Sequence, residues 1–339
     1  MSKYDIMLFA LLYYIGFLIF MPKYERSFFM EKYVILADIT CDLSEEIRKE
    51  IGMDDYVKGH IHFDDGRDFL TKLEWDPMSK QDFYAALSNK KVKVTTAPPN
   101  IEEYCEIFEK YVKDGYGIIS IALSSKISST FEFSQKAANR VLEAYPDAKI
   151  ACVDSFRMSG AFGLLVIYAH ILKNEGKSLE EVVAWLEENK RKVHQMGPID
   201  DLFFIARRGR ISMGKAIMGS FAGVKPMGDC NADGYTTVLT KVKGMNKALD
   251  TTVRYVAETA TDIKNQYVLV ISSNRDAYAE TLKQKLEAEL APKKIFMTDV
   301  FCGCGANIGP GMVGVYYLGE PISEDLSVEK EIITRITGK

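Results

Sequence analysis

The chain has 339 residues, of which 47% are hydrophobic and 27% charged, so it can form two globular domains and is too apolar for a disordered or fibrous protein. Its formal net charge of −4 provides no strongly basic surface, which argues against nucleic acid as a partner. A small molecule or another protein is the better expectation.

The N-terminus differs in composition from the rest of the chain. Residues 6–21 include no charged residue, but this run is shorter than the ~20 residues that a spanning helix needs. Its flanking charges are nearly symmetric, and no small-residue cleavage site follows. We therefore regard residues 1–30 as an appended or mis-assigned start, and we keep membrane contact through residues 6–21 as the alternative.

Four short apolar runs each end in a polar loop and are followed by a helical pattern. They begin at Tyr33, Val92, Ile118 and Ala148. Repeated strand-then-helix units predict a parallel sheet with helices on both faces. Ligands bind beyond the carboxyl ends of such strands, so the four loops should be neighbours. These loops are residues 38–44, 95–100, 124–130 and 154–159.

Polar residues at three of these loops fit helix starts. Ser44 is expected to cap the helix that follows it, and Asn100 with Glu103 has the spacing of a capping box. The hydroxyl-rich loop 124–130 has two interpretations. It is either an N-cap or an anion site, at which free backbone N–H groups and hydroxyls face a ligand.

The pattern changes after residue 175, and we predict a first α/β domain over 31–175 and a second, smaller mixed α/β domain over 176–339. The second domain should contain a hairpin turning at Asp233 and Gly234. Helices over 247–263 and 277–290 and strands over 267–271 and 295–301 should follow. The glycine-rich stretch 303–317 indicates a backbone that bends sharply or approaches another group closely.

Six cysteines are scattered with no CxxC pair. Cys302 and Cys304 could bind a metal in principle, but no second pair exists, and buried free thiols are the favoured interpretation. Such thiols suit a reducing cytoplasm. We expect no metal and no cofactor.

Five motifs in order resemble the DegV family of fatty-acid-binding proteins, over about residues 33–317. The stretch DITCDL at 38–43 is similar to DSTxDL, and TTAP at 95–98 stands in the place of TSQP. SSKISST at 124–130 is similar to SSxLSGT, RGRIS at 208–212 to GGRIS, and GPG at 309–311 to the end of HxGPG.

The resemblance implies a long-chain fatty acid lying between two α/β domains. Its carboxylate would be held by Thr95 and Ser128, with Thr96, Ser129, Thr130 and Gly309 as possible second contacts. The resemblance also implies a carrier, not an enzyme, that presents the acyl chain to an ATP-dependent fatty acid kinase for phospholipid synthesis.

Departures from the family pattern include Ile39, Ala97, Ser129, Arg208 and Asn307. Asn307 replaces the histidine of HxGPG, which removes a group that could carry charge near the ligand head group or the partner.

The basic cluster of Arg207, Arg208 and Arg210 is either a solvated turn or a docking surface for an acidic or phosphate-bearing partner. The alternative function is a serine-dependent lipid hydrolase or acyltransferase that uses Ser125 or Ser128. No GxSxG motif surrounds either serine. The only candidate bases are His60, His62, His170 and His194.

Overall fold

The computed structural model describes residues 32–53, 55–89, 91–209 and 223–338. The strands are β1 (Tyr33–Asp38), β2 (Tyr56–Val57), β3 (His60–Phe63), β4 (Asp68–Leu70), β5 (Val94–Ala97), β6 (Gly117–Ala122), β7 (Ile150–Asp154), β8 (Val193–Met196), β9 (Val224–Cys230), β10 (Thr236–Lys243), β11 (Tyr267–Ser272), β12 (Lys294–Asp299) and β13 (Val313–Leu318).

The helices are α1 (Glu45–Ile51), α2 (Lys80–Ser88), α3 (Ile101–Lys113), α4 (Thr130–Ala144), α5 (Ser159–Asn174), α6 (Leu179–Asn189), α7 (Leu202–Arg207), α8 (Met245–Thr259), α9 (Asp276–Leu290), α10 (Cys302–Ile308) and α11 (Ser327–Thr337). Short 3₁₀ turns lie at Ile39–Cys41 and Ile263–Asn265. No helix in these described ranges is long and apolar enough to span a membrane, and residues 6–21 lie outside them.

The first sheet is parallel, in the order β2-β1-β6-β7, with helices on both faces, as predicted. Alternate residues of β1 enter different cores: Ile35 packs on the side of α5, and Leu36 packs on the side of α3 and α4. This alternation is what a strand covered on both faces requires.

One predicted element was placed in the wrong sheet. The run that follows Val92 forms β5, but β5 pairs antiparallel with β3 in a separate three-stranded sheet of order β4-β3-β5. Strand pairing is not local in sequence, and the partner β3 is a segment of only four residues.

The second half of the chain forms a mixed sheet of order β12-β11-β13-β8 and the predicted hairpin β9-β10. In the mixed sheet, β11 and β12 are parallel, and the other two pairings are antiparallel. The glycine-rich stretch becomes α10 and β13. Its glycines do approach other groups closely: a Cβ added at Gly305 would lie 2.7 Å from the ring of Phe83.

Helix α5 lies between the two large sheets and is buried on nearly all sides. The hydrophobic cluster around it is continuous from Ile35 and Ile121 of the first sheet to Leu269 and Tyr316 of the second. Because this helix packs in both cores, its packing does not test the boundary that we predicted between residues 175 and 176. That boundary stays a prediction.

Candidate functional site

Carboxylates at the ends of the parallel strands hold the hydroxyl-rich loop 124–130. Asp38, at the end of β1, accepts hydrogen bonds from the backbone N–H of Thr40 at 2.9 Å and from that of Leu123 at 2.7 Å. Burial raises the pKa of Asp38, and the hydrogen bonds from Thr40 and Leu123 partly oppose that rise. Asp38 thereby ties the turn after β1 to the end of β6.

Asp154, at the end of β7, fixes the same loop from the other side. Its Oδ1 accepts hydrogen bonds from the N–H of Ser125 at 3.2 Å and from that of Phe156 at 3.0 Å. Parallel strands bring their carboxyl ends to one edge of the sheet, so an acid directly after a buried strand can anchor the loop of its neighbour. Our sequence interpretation missed these roles, although both acids follow apolar runs.

The loop delivers two hydroxyls to a cavity. The Oγ atoms of Ser128 and Thr130 are 2.7 Å apart, and Ser128 Oγ accepts a hydrogen bond from the N–H of Thr130 at 3.3 Å. Ser129 occupies the N-cap position of α4, but its side chain is exposed and makes no capping hydrogen bond. The first turn of α4 therefore lacks the usual side-chain cap and can offer N–H groups to an anion.

Thr96 of β5 and Asn307 of α10 provide the facing wall. The Nδ2 of Asn307 donates to Thr96 Oγ1 at 3.1 Å. Because the hydroxyl oxygen receives this bond, its own hydrogen remains available to donate into the cavity. Asn307 thus orients the threonine, a role that we did not infer when we treated this position only as the loss of a histidine.

Thr95, our first choice for the carboxylate site, does not line the cavity. It lies opposite His62 in the β3-β5 pairing and is exposed, whereas Thr96 lies opposite the fully buried Ile61. Successive side chains of a strand point to opposite faces, so only one of two adjacent threonines reaches the site. The structure brings Ser128, Thr130 and Thr96 together, and it leaves Thr95 and Ser129 outside.

Gly309 also lies outside the cavity lining. Its φ of 76° is left-handed, and a Cβ at this position would lie 2.6 Å from the ring of Phe204 on α7. The absence of a side chain at Gly309 therefore leaves room for this aromatic ring. The neighbouring Ile308 does line the cavity.

The cavity lies between the first sheet, the β3-β5 sheet and α10. A second cavity lies toward β8, β9 and β13. Met158, Ile205 and Ile308 line both cavities. The first cavity carries the hydroxyls, and the second is bounded mostly by apolar side chains and glycines. The three shared residues place the two cavities next to each other.

Among the described residues, neither cavity is lined by lysine or arginine. The titratable groups at the polar end are Asp38, Cys304 and His60. His60 contacts Glu103, with its Nε2 at 2.9 Å and 3.0 Å from the two carboxylate oxygens. Burial raises the pKa of the Cys304 thiol, so this group stays protonated.

The predicted caps and thiols also have clear positions. Ser44 accepts a hydrogen bond from the N–H of Ile47, and Asn100 with Glu103 forms a complete capping box, which confirms both predictions. All six cysteines are free, and all but the half-buried Cys152 are buried. Within the described ranges, no group of three or more potential metal ligands occurs.

Of the basic cluster, Arg207 is exposed and lies 3.9 Å from Asp201. The guanidinium of Arg208 lies over the ring of Phe204, 5.4 Å from its centroid. Arg210 lies outside the described residues. Both described arginines are on or beside α7, whose Ile205 lines the two cavities.

Comparison with known proteins gives a consistent picture. Residues 32–320 match the family described as an uncharacterised protein of the DegV family. A DegV domain-containing protein of Clostridium perfringens is 32% identical over 291 residues, which cover 86% of this chain and 99% of the relative.

Two solved structures are similar in fold. DegV, a fatty acid binding protein from Bacillus subtilis, has a TM-score of 0.72 and 25% identity, covering 86% of this chain and 100% of its own. A DegV family protein from Eubacterium eligens loaded with heptadecanoic acid has a TM-score of 0.74 and 19% identity, covering 85% and 100%. The family match over residues 32–320 and the relative that is 32% identical show that the chain belongs to the DegV family.

Proposed function

We propose that this protein binds a long-chain fatty acid, with the carboxylate in the hydroxyl-lined cavity and the acyl chain extending into the adjoining, mostly apolar cavity. The observation that carries this proposal is that Met158, Ile205 and Ile308 line both cavities, so a polar and an apolar cavity lie side by side. The fatty acid binding described for the Bacillus subtilis relative and the heptadecanoic acid in the Eubacterium eligens structure support it.

The energetics favour such a ligand. Burying an acyl chain gains ~0.8 kcal/mol per CH₂, so a chain of about sixteen carbons gains on the order of 10 kcal/mol before ordering costs. The acyl chain can therefore supply most of the binding free energy, and the contacts to the carboxylate serve mainly to orient the ligand. Thr96, Ser128 and Thr130 can donate neutral hydrogen bonds, which avoids the desolvation penalty of a buried lysine or arginine.

The test is denaturing mass spectrometry of lipid extracted from the purified protein. We expect close to one free fatty acid per protein. Purified protein that contains no fatty acid and does not take one up from solution would contradict the proposal.

We further propose that the protein acts in the cytoplasm as a carrier for an ATP-dependent fatty acid kinase, with Arg207, Arg208 and Arg210 at the docking surface. The described arginines lie beside a helix that also lines the cavities, so a partner bound there would be close to the ligand. The experiment is acyl phosphate formation from ATP with a candidate kinase. Formation at an equal rate without this protein would reject the carrier role.

A serine hydrolase is less well supported. It needs a histidine within hydrogen-bonding distance of the nucleophile. Among the described residues, His60 contacts Glu103, His62 contacts Asp68, and His194 contacts Asp229 and the carbonyl of Glu320. Both ring nitrogens of His170 are buried without a partner. None of these contacts activates Ser125 or Ser128.

A further inference from the structure

The second, mostly apolar cavity contains a polar pair that the proposed carboxylate site does not use. Gln195 of β8 and Thr236 of β10 both line the second cavity, and the Gln195 Nε2 donates to Thr236 Oγ1 at 2.8 Å. Both side chains are half-buried. The pair lies away from Ser128 and Thr96, which line only the first cavity.

The pair keeps unused hydrogen-bonding capacity. A glutamine side chain offers two N–H donors and a carbonyl oxygen, and within the described residues the Gln195 side chain forms this one hydrogen bond. An unbranched hydrocarbon that filled the cavity would remove water from the amide without replacing its hydrogen bonds, which weakens binding. The amide therefore suits a ligand that carries a polar group at this point.

The Gln195–Thr236 contact is one of several links between the hairpin and β8, because Asp229 of β9 also connects the two. Its carboxylate accepts a hydrogen bond from the N–H of Gln195 at 2.9 Å and lies 2.6 Å from His194 Nδ1. A backbone bridge between Pro198 and Met227 adds a second connection. The Gln195–Thr236 contact is thus available for a ligand.

We propose that Gln195 and Thr236 bind a hydroxyl group on the acyl chain, so that hydroxy fatty acids are a preferred ligand class. This inference rests on the proposed function. A hydroxyl can donate to the amide oxygen of Gln195 and accept from its N–H. The buried phenol of Tyr316 lines the same cavity.

The experiment compares the affinities of stearic acid and of stearic acids that each carry one hydroxyl at a different carbon, by displacement of a fluorescent fatty acid. We expect at least one hydroxylated acid to bind about 3- to 10-fold more tightly than stearic acid, the effect of one hydrogen bond. Gln195→Met and Thr236→Val should each reduce this preference, measured as the ratio of the affinities for the hydroxylated acid and for stearic acid. Thr237→Val, one residue along β10 and outside the cavity lining, is the matched control and should keep the preference.

The wild-type comparison requires no variant to fold, and the stearic acid affinity of each variant shows whether its cavity is intact. If stearic acid binds but every hydroxylated acid binds equally or more weakly, this inference is overturned and the proposed function stands. A preference that persists in both Gln195→Met and Thr236→Val also overturns it. If no fatty acid binds, the proposed function fails, and this inference fails with it.

Discussion

The two adjacent threonines of β5 allow a sharp test of the carboxylate site. Thr96→Val removes a hydroxyl from the cavity without changing the shape of the side chain, whereas Thr95→Val makes the same chemical change on the exposed face of the strand. Ser128→Ala removes the second hydroxyl. We expect Thr96→Val and Ser128→Ala to weaken fatty acid binding and Thr95→Val to leave it unchanged.

The magnitude follows from the contacts. A hydrogen bond to a charged group contributes about 1.5–3 kcal/mol, so losing one hydroxyl should weaken binding roughly 30-fold. Thr96→Val also leaves Asn307 Nδ2 without its acceptor, and Ser128→Ala leaves Thr130 without its hydroxyl partner. Thr130 can still donate to the ligand, so the double variant should lose less than the product of the two single effects.

The assay is displacement of a fluorescent fatty acid, with a fatty alcohol of equal length measured beside the acid. The alcohol has no carboxylate, so its affinity should change much less in both cavity variants. Equal losses in Thr95→Val and Thr96→Val would refute the assignment of Thr96. An acid-to-alcohol ratio that is the same in wild type and in Ser128→Ala would refute the role of Ser128.

Three further outcomes are expected. His170 is 2% exposed, and burial lowers its pKa to about 3, so the unfolded chain binds a proton below pH ~6.5 that the folded protein excludes. Between pH 7 and 5.5 this histidine should reduce the free energy of unfolding by about 1 kcal/mol, which urea unfolding measures as the difference in pH dependence between wild type and His170→Gln. A Cβ at Gly163 would lie 2.3 Å from the carbonyl oxygen of Cys41. Gly163→Ala should therefore destabilise the protein by about 1–3 kcal/mol in thermal unfolding. An unchanged Tm would contradict this close packing. The Lys80 side chain is 11% exposed and donates to Asp276 at 2.6 Å and to Asp299 at 2.5 Å. Lys80→Met should therefore lower the free energy of unfolding by about 1–3 kcal/mol. A free energy of unfolding equal to that of wild type would show that these ion pairs contribute nothing.

Much of the first sheet could be predicted from sequence because its strands carry local signals. The runs that became β1, β6 and β7 are apolar, short and followed by helices, and the parallel topology follows from that repetition. The position of β5 could not be predicted in this way, because its pairing with β3 depends on contacts between segments with no strong pattern of their own.

The candidate site was predicted in part for a related reason. Ser128 lies on a loop whose strand and helix could both be read from the sequence, and the structure places it in the cavity. Choosing between Thr95 and Thr96 requires the register of β5 against β3, which sets the face of every side chain at once. The positions of Asp38 and Asp154 after apolar runs are visible in the sequence, but their partners lie across the fold. No local pattern indicates the contact between Asn307 and Thr96.

The position of helix α5 has a consequence for how the molecule unfolds and opens. Because its apolar side chains complete the cores of both large sheets, separating the two halves would expose one flank of this helix to water. The halves should therefore melt in a single calorimetric transition, and ligand should raise the temperature of that transition as a whole. We therefore expect a ligand to enter by movement of side chains or short segments at the cavity rim, and not by a hinge between rigid halves.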